Sequence, residues 1–134
     1  MTTRDNSNVK IIEPLAKFHA KVTRSGQFTF PLWTRLYLEL DVGDYVELII
    51  RTKHADKILR GMFAAKLVDK GNITIPKGLR DKMNIEKDTI VEVLLIKAYR
   101  LKDLFGDRSE LIKHLSLSTY RLLTAEEEQK LLSS

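Results

Sequence analysis

Cysteine is missing from all 134 residues. That rules out disulfides, thiolate metal centres and cysteine nucleophiles. Long apolar runs are missing as well, and no stretch approaches the roughly 18 consecutive apolar residues a membrane helix needs. The polar opening Met1–Asn8 carries no apolar targeting core, so a soluble, cytoplasmic protein is expected. No Gly-x-Ser-x-Gly elbow, phosphate-binding loop or dinucleotide glycine cluster occurs. His19, His54 and His114 share no metal-ligand spacing with each other or with carboxylates, so they read as solvent-facing or satisfied histidines. No enzyme activity, cofactor or metal is therefore expected. Acidic charge is in the minority, and the net charge is +5. The excess is not spread evenly: residues 14–101 hold sixteen basic side chains against ten acidic ones, while 102–134 hold five against six. A basic body with a near-neutral tail points toward a polyanion, with an ordinary solvated surface as the alternative.

What the chain does contain is a duplication. Phe18–Ile50 and Phe63–Leu95 align without a gap at a spacing of 45, and nine pairs are identical. These are Phe18/Phe63, Ala20/Ala65, Lys21/Lys66, Gly26/Gly71, Thr29/Thr74, Pro31/Pro76, Arg35/Arg80, Val46/Val91 and Glu47/Glu92. Most remaining pairs exchange one apolar residue for another. A unit this short cannot bury its own apolar face, so two copies are expected to complete one core. The resulting two-fold pseudo-symmetry suits a partner with a two-fold repeat of its own, such as duplex DNA.

Each copy reads in the same order. Strand one covers Lys17–Thr23 or Met62–Val68, and a turn at Ser25-Gly26 or Lys70-Gly71 uses glycine for positive φ. Strand two alternates Phe28 and Phe30 against Thr29, and Ile73 and Ile75 against Thr74. Pro31 and Pro76 end those strands and suit the first position of the helices Leu32–Leu40 and Lys77–Ile85. Strand three is apolar and β-branched, Tyr45–Ile50 and Ile90–Ile96. Lys53–Asp56 reads as a turn and Lys57–Arg60 as a short returning strand. The tail reads as helical: Asp107 and Glu110 cap Arg108–Leu115, and Thr124 with Glu127 forms a capping box before Ala125–Leu132. The domain reading is a flexible arm over 1–13, repeats over 14–61 and 62–101, and a helical extension over 102–134.

The element order, with Lys-x-x-x-x-Gly-x-[apolar]-Thr-[apolar]-Pro-x-x-x-Arg running through it, resembles the AbrB/SpoVT/MazE swapped-hairpin family. The second copy matches best, from Lys66 through Gly71, Thr74 and Pro76 to Arg80, then Met83-Asn-Ile85 and Val91-Glu-Val. The first copy keeps Lys21, Gly26, Thr29, Pro31, Arg35 and Val46-Glu47. The resemblance covers about 80 residues. It implies a mainly β (α+β) fold in which two interleaved swapped-hairpin units form an intramolecular pseudo-dimer, followed by the helical tail. It also implies a transcription regulator that binds double-stranded DNA through paired basic β-loop-helix elements. The chain departs from the family after the turn glycine, where Gln27 and Asn72 replace a frequent Arg. It departs again after the helix arginine, where Leu36 and Asp81 stand.

The candidate DNA-binding residues are Lys21, Arg24, Gln27, Thr29, Arg35, Lys66, Lys70, Asn72, Thr74, Lys77, Arg80 and Lys82. Arg35 and Arg80 grip phosphate or guanine bidentately, or else form internal ion pairs with Glu47 and Glu92. The lysines and Arg24 are phosphate contacts or solvated charges. Gln27 and Asn72 reach base edges, or are simply small polar residues favoured by turns. Thr29 and Thr74 donate to phosphate or are ordinary strand threonines. Gly26, Gly71, Pro31 and Pro76 are architectural. Trp33 is expected to be partly covered by the tail. The alternative function is an antitoxin or adaptor whose residues 102–134 bind a partner protein, or self-associate, through a helix in a groove.

Overall fold

The computed structural model describes residues 13–103 and 120–133. Residues 1–12 of the expected arm over 1–13, and the expected helix Arg108–Leu115 with Asp107, Glu110 and His114, lie outside the described residues. In chain order the elements are β1 (Ala16–Lys21), β2 (Gln27–Thr29), α1 (Leu32–Leu38), β3 (Tyr45–His54), β4 (Lys57–Lys66), β5 (Asn72–Thr74), α2 (Lys77–Lys82), β6 (Ile90–Tyr99), β7 (Tyr120–Leu123) and α3 (Ala125–Ser133). Short 3-10 turns lie at Asp69–Gly71 and Leu101–Asp103. The fold is mainly β and antiparallel, with a helical C-terminus.

Five strands form one sheet in the order β1-β6-β3-β4-β7, and β2 and β5 form a separate two-stranded ribbon. The ladders carry the duplication into three dimensions. β1 pairs with β6 from Ala16↔Leu95 to Lys21↔Ile90. Shifting those partners by one repeat gives Gly61↔Ile50 to Lys66↔Tyr45, which is the ladder between β4 and β3. Strand one of each copy therefore lies beside strand three of the other. The ribbon is its own image under the same shift, Gln27↔Thr74 becoming Asn72↔Thr29 around a central Phe28↔Ile73 pair. β3 and β6 run side by side through Ile49↔Leu94. The pseudo-two-fold relation thus passes through Phe28/Ile73 and Ile49/Leu94.

Alternation along the strands makes two apolar layers. Phe18, Val46, Leu48, Ile50, Phe63, Val91, Val93 and Leu95 face the ribbon, where Phe28, Phe30, Ile73 and Ile75 close the main core with Leu79 and Met83 from α2. The phenylalanines meet edge-on, Phe18 and Phe30 having ring centroids 4.9 Å apart. On the other face Ile49, Leu94 and Leu123 form a smaller cluster against Leu131 of α3. Among the described residues, no helix is long and apolar enough to cross a membrane.

Several sequence expectations change. Pro31 and Pro76 sit at the N-cap rather than inside the helix, with ψ of 138° and 136°. The helices stop earlier than expected because Glu39 and Asn84, equivalent positions, turn to φ 56° and 54°. Lys57–Arg60 is no separate strand: β4 runs unbroken into the second copy because every residue from Lys57 to Lys66 pairs with β3. The tail is not wholly helical. Tyr120–Leu123 adds to the edge of β4 as β7, since the backbone hydrogen bonds offered by that edge outweigh the weak helical periodicity of the segment. The Thr124/Glu127 capping box is present in both directions, at 2.9 and 3.1 Å.

Candidate nucleic-acid interface

The ribbon is built so that its two faces differ completely. Phe28 and Ile73 are fully buried, which forces the flanking residues Gln27, Thr29, Asn72 and Thr74 outward by the period-two rule. The four make two cross-strand hydrogen bonds: Gln27 Nε2 donates to Thr74 Oγ1 at 3.0 Å, and Thr29 Oγ1 donates to Asn72 Oδ1 at 2.8 Å. The threonines thus hold the amides flat on the surface. Gln27 Oε1 and Asn72 Nδ2 have no partner among the described residues.

The ribbon continues into its turns symmetrically. Ile75 N–H donates to Gly26 O at 2.9 Å and Phe30 N–H to Gly71 O at 2.8 Å. Gly26 and Gly71 both have positive φ, 79° and 78°, as the sequence requires. A second reason for glycine is visible only in three dimensions. Arg80 of the second copy lays its guanidinium over Gly26 of the first, and Arg35 lays its own over Gly71; a Cβ at either glycine would overlap it. Each arginine is fixed by its Nε, which donates 3.0 Å to Phe30 O for Arg35 and to Ile75 O for Arg80. Neither arginine takes Glu47 or Glu92 as partner. The alternative internal ion pairs do not form because Glu47 and Glu92 alternate with the core residues Val46, Leu48, Val91 and Val93 and so face the side of the sheet opposite the ribbon.

The remaining candidates divide by geometry. Arg24 and Lys70 sit exposed at the two turns, Lys70 with φ 63°. Lys77, also exposed, opens α2 and pairs with Asp81 at 3.3 Å. Lys21 and Lys66 alternate with core residues Ala20 and Ala65, so they face the side of the sheet opposite the ribbon. Lys82 is drawn to β7, its Nζ standing 5.4 Å from the Tyr120 ring centroid. Trp33 is not covered by the tail; it is 79% exposed on α1. The tail docks on α2 instead, because Gly78 leaves the space that Tyr120 fills.

An ionic cluster that sequence reasoning missed lies on the opposite face. Glu128 of α3 is buried, and its carboxylate takes Arg51 and Arg60 together. Arg51 Nη1 also reaches Glu92 Oε1 at 2.6 Å, and Lys17 and His19 approach the same carboxylate at 3.5 and 3.2 Å. Burial works against the charge on both Arg51 and Glu92. The carboxylates of Glu128 and Glu92 nonetheless raise Arg51 above its ordinary value, and Arg51 with Lys17 holds Glu92 below the usual carboxylate range. The only signal in the sequence is that 51 and 60 carry arginines at alternating outward positions of a hairpin. His54 Nε2 lies 2.8 Å from Met83 O. Among the described residues, no group of three or more His, Asp or Glu is placed to hold a metal ion.

No family model matches the chain, and no curated protein matches it. The fold is similar to the solution structure of PHS018 from Pyrococcus horikoshii, with a TM-score of 0.64 and 36% sequence identity, over 66% of this chain and 97% of that one. The chain belongs to the same family as that protein.

Proposed function

We propose that this protein is a transcription regulator that binds duplex DNA, with the β2–β5 ribbon entering the major groove. The fold it uses is a swapped-hairpin pseudo-dimer of the AbrB type supplied by a single chain. The observation that carries the reading is the ribbon's outward quartet. Two amides and two hydroxyls lie on a surface made of two antiparallel strands, an element the major groove is wide enough to admit. Their pseudo-two-fold arrangement matches the symmetry of the duplex backbone.

The parts divide the work. Gln27 and Asn72 present amide atoms to base edges, adenine being the bidentate match. Arg24, Lys70 and Lys77 at the rim neutralise phosphates and set position rather than sequence. Arg35 and Arg80 have committed Nε to the backbone, so only the Nη1/Nη2 end of each guanidinium is offered. Those groups have no partner among the described residues, and an end-on fork still grips a phosphate with two hydrogen bonds. The reversed charges at equivalent positions Arg24 and Asp69 make the two half-sites unequal, so an imperfect palindrome is expected.

Selection of bound duplexes from a random pool, repeated with Gln27→Ala/Asn72→Ala, tests this. The wild-type chain should enrich a site with two related halves. The double variant should lose about 1–3 kcal/mol of discrimination per lost base contact. A folded variant that selects the same site as wild type would remove the amides from the interface.

A further inference from the structure

The sheet face opposite the ribbon opens a cleft of about 670 Å³, within the range of small-molecule sites. Its origin is a failure of pairing. The ladder between β3 and β6 ends at Arg51↔Glu92. Beyond that point β3 continues to His54 paired only with β4, while the start of β6 stays with β1 as far as Lys21↔Ile90. The sheet parts into two arms, with Ile58 on one rim and Ile90 on the other, both exposed. The pseudo-symmetric position is closed. There β6 bulges at Ile96, and the ladder resumes from Glu47↔Lys97 to Tyr45↔Tyr99, leaving only about 120 Å³.

The lining is cationic. Arg51, Lys53, Arg60 and His19 line it with Glu92; Glu128 and Glu92 already hold Arg51 and Arg60, so Lys53 is the lining cation without a carboxylate partner among the described residues. Thr52 also lines the cleft; it is buried, and its Oγ1 has no hydrogen-bond partner among the described residues. A buried hydroxyl without a partner is costly unless something completes it.

We infer that this cleft binds a small organic anion, an apolar body of a few carbons carrying a phosphate or carboxylate group. The anionic group sits at Lys53 on the His19 side of the cleft, and the body lies between Ile58 and Ile90. The site goes beyond the DNA reading and does not depend on it, since Lys53, Ile58 and Ile90 face away from the ribbon.

The test is titration of the full chain, followed by amide chemical shifts, with three probes: phenyl phosphate, benzoate and inorganic phosphate. Phenyl phosphate or benzoate should move the signals of Thr52, Lys53, Ile58 and Ile90 saturably, with a Kd of about 1 mM or tighter. The better of the two identifies the headgroup. Inorganic phosphate, lacking the body, should bind about tenfold more weakly. Lys53→Ala and Ile90→Ser, both at exposed positions that leave the core intact, should each weaken the better probe about tenfold. The inference is overturned if neither organic probe saturates by about 10 mM, if the shifts gather on the ribbon instead, or if both variants bind as wild type does.

Discussion

Helices α1 and α2 occupy equivalent places in the duplicated chain, yet their surroundings differ. α1 buries none of its residues, and Leu32, Trp33, Leu36 and Tyr37 are exposed, Tyr37 at 85%. α2 buries Leu79 and lies under Tyr120 of β7. One residue decides which copy receives the tail: Gly78 leaves room for the Tyr120 ring, and its counterpart Trp33 would fill that room. A duplicated backbone therefore becomes two different surfaces. The ribbon between the helices stays symmetric because both copies contribute to it equally.

Six substitutions probe this asymmetry, beginning with the largest expected effect. Glu128→Gln removes the buried charge that holds Arg51 and Arg60 and anchors the tail to one half. Loss of one partner from such a cluster costs about 3–5 kcal/mol, read as a lowered urea midpoint. An unchanged midpoint would mean the tail contributes nothing to the body. Gly26→Ala and Gly71→Ala should each cost about 2 kcal/mol or more, from positive φ and displacement of the overlying arginine. Equal losses support the symmetric clamp; a loss at only one glycine breaks it.

Gly78→Ala should destabilise by about 1–3 kcal/mol through overpacking against Tyr120. Trp33→Ala, at the equivalent site, should change stability by less than about 0.5 kcal/mol. Thermal unfolding of the pair reads the contrast directly, and similar losses would erase it.

The last effect concerns pH. Glu92 has a folded-state pKa below its ordinary value of 4.5. Its contribution is therefore present above that pH and lost as pH falls through the folded value. Glu92→Gln should flatten the acid limb of the stability curve, by about 1 kcal/mol for so partly exposed a cluster. A curve parallel to wild type would show that the carboxylate is not held by Arg51 and Lys17.

Much of this architecture was legible before folding. The repeat located the strands of the two copies except that it divided β4 into two, and alternation at Phe28 and Ile73 predicted the polar outer face of the ribbon. The Thr124/Glu127 box marked the start of the last helix. Three things were not legible. Leu122 and Leu123 fit a helix as well as a strand, and only the free edge of β4 decides between them. The contact of Arg35 with Gly71 joins residues 36 positions apart across two copies, so the sequence could give the glycine only its local reason. The cleft beside Thr52 depends on the β3–β6 ladder ending at Arg51↔Glu92, which no residue type announces.

The most direct measurement is fluorescence anisotropy of the full chain on duplex DNA across a salt series. The account predicts a linear fall of log K with log salt, with the slope shrinking by about 0.9 for each of Arg24→Ala and Lys70→Ala. Both variants should keep wild-type stability. Absence of binding at about 50 mM salt, or slopes that ignore both substitutions, would contradict it.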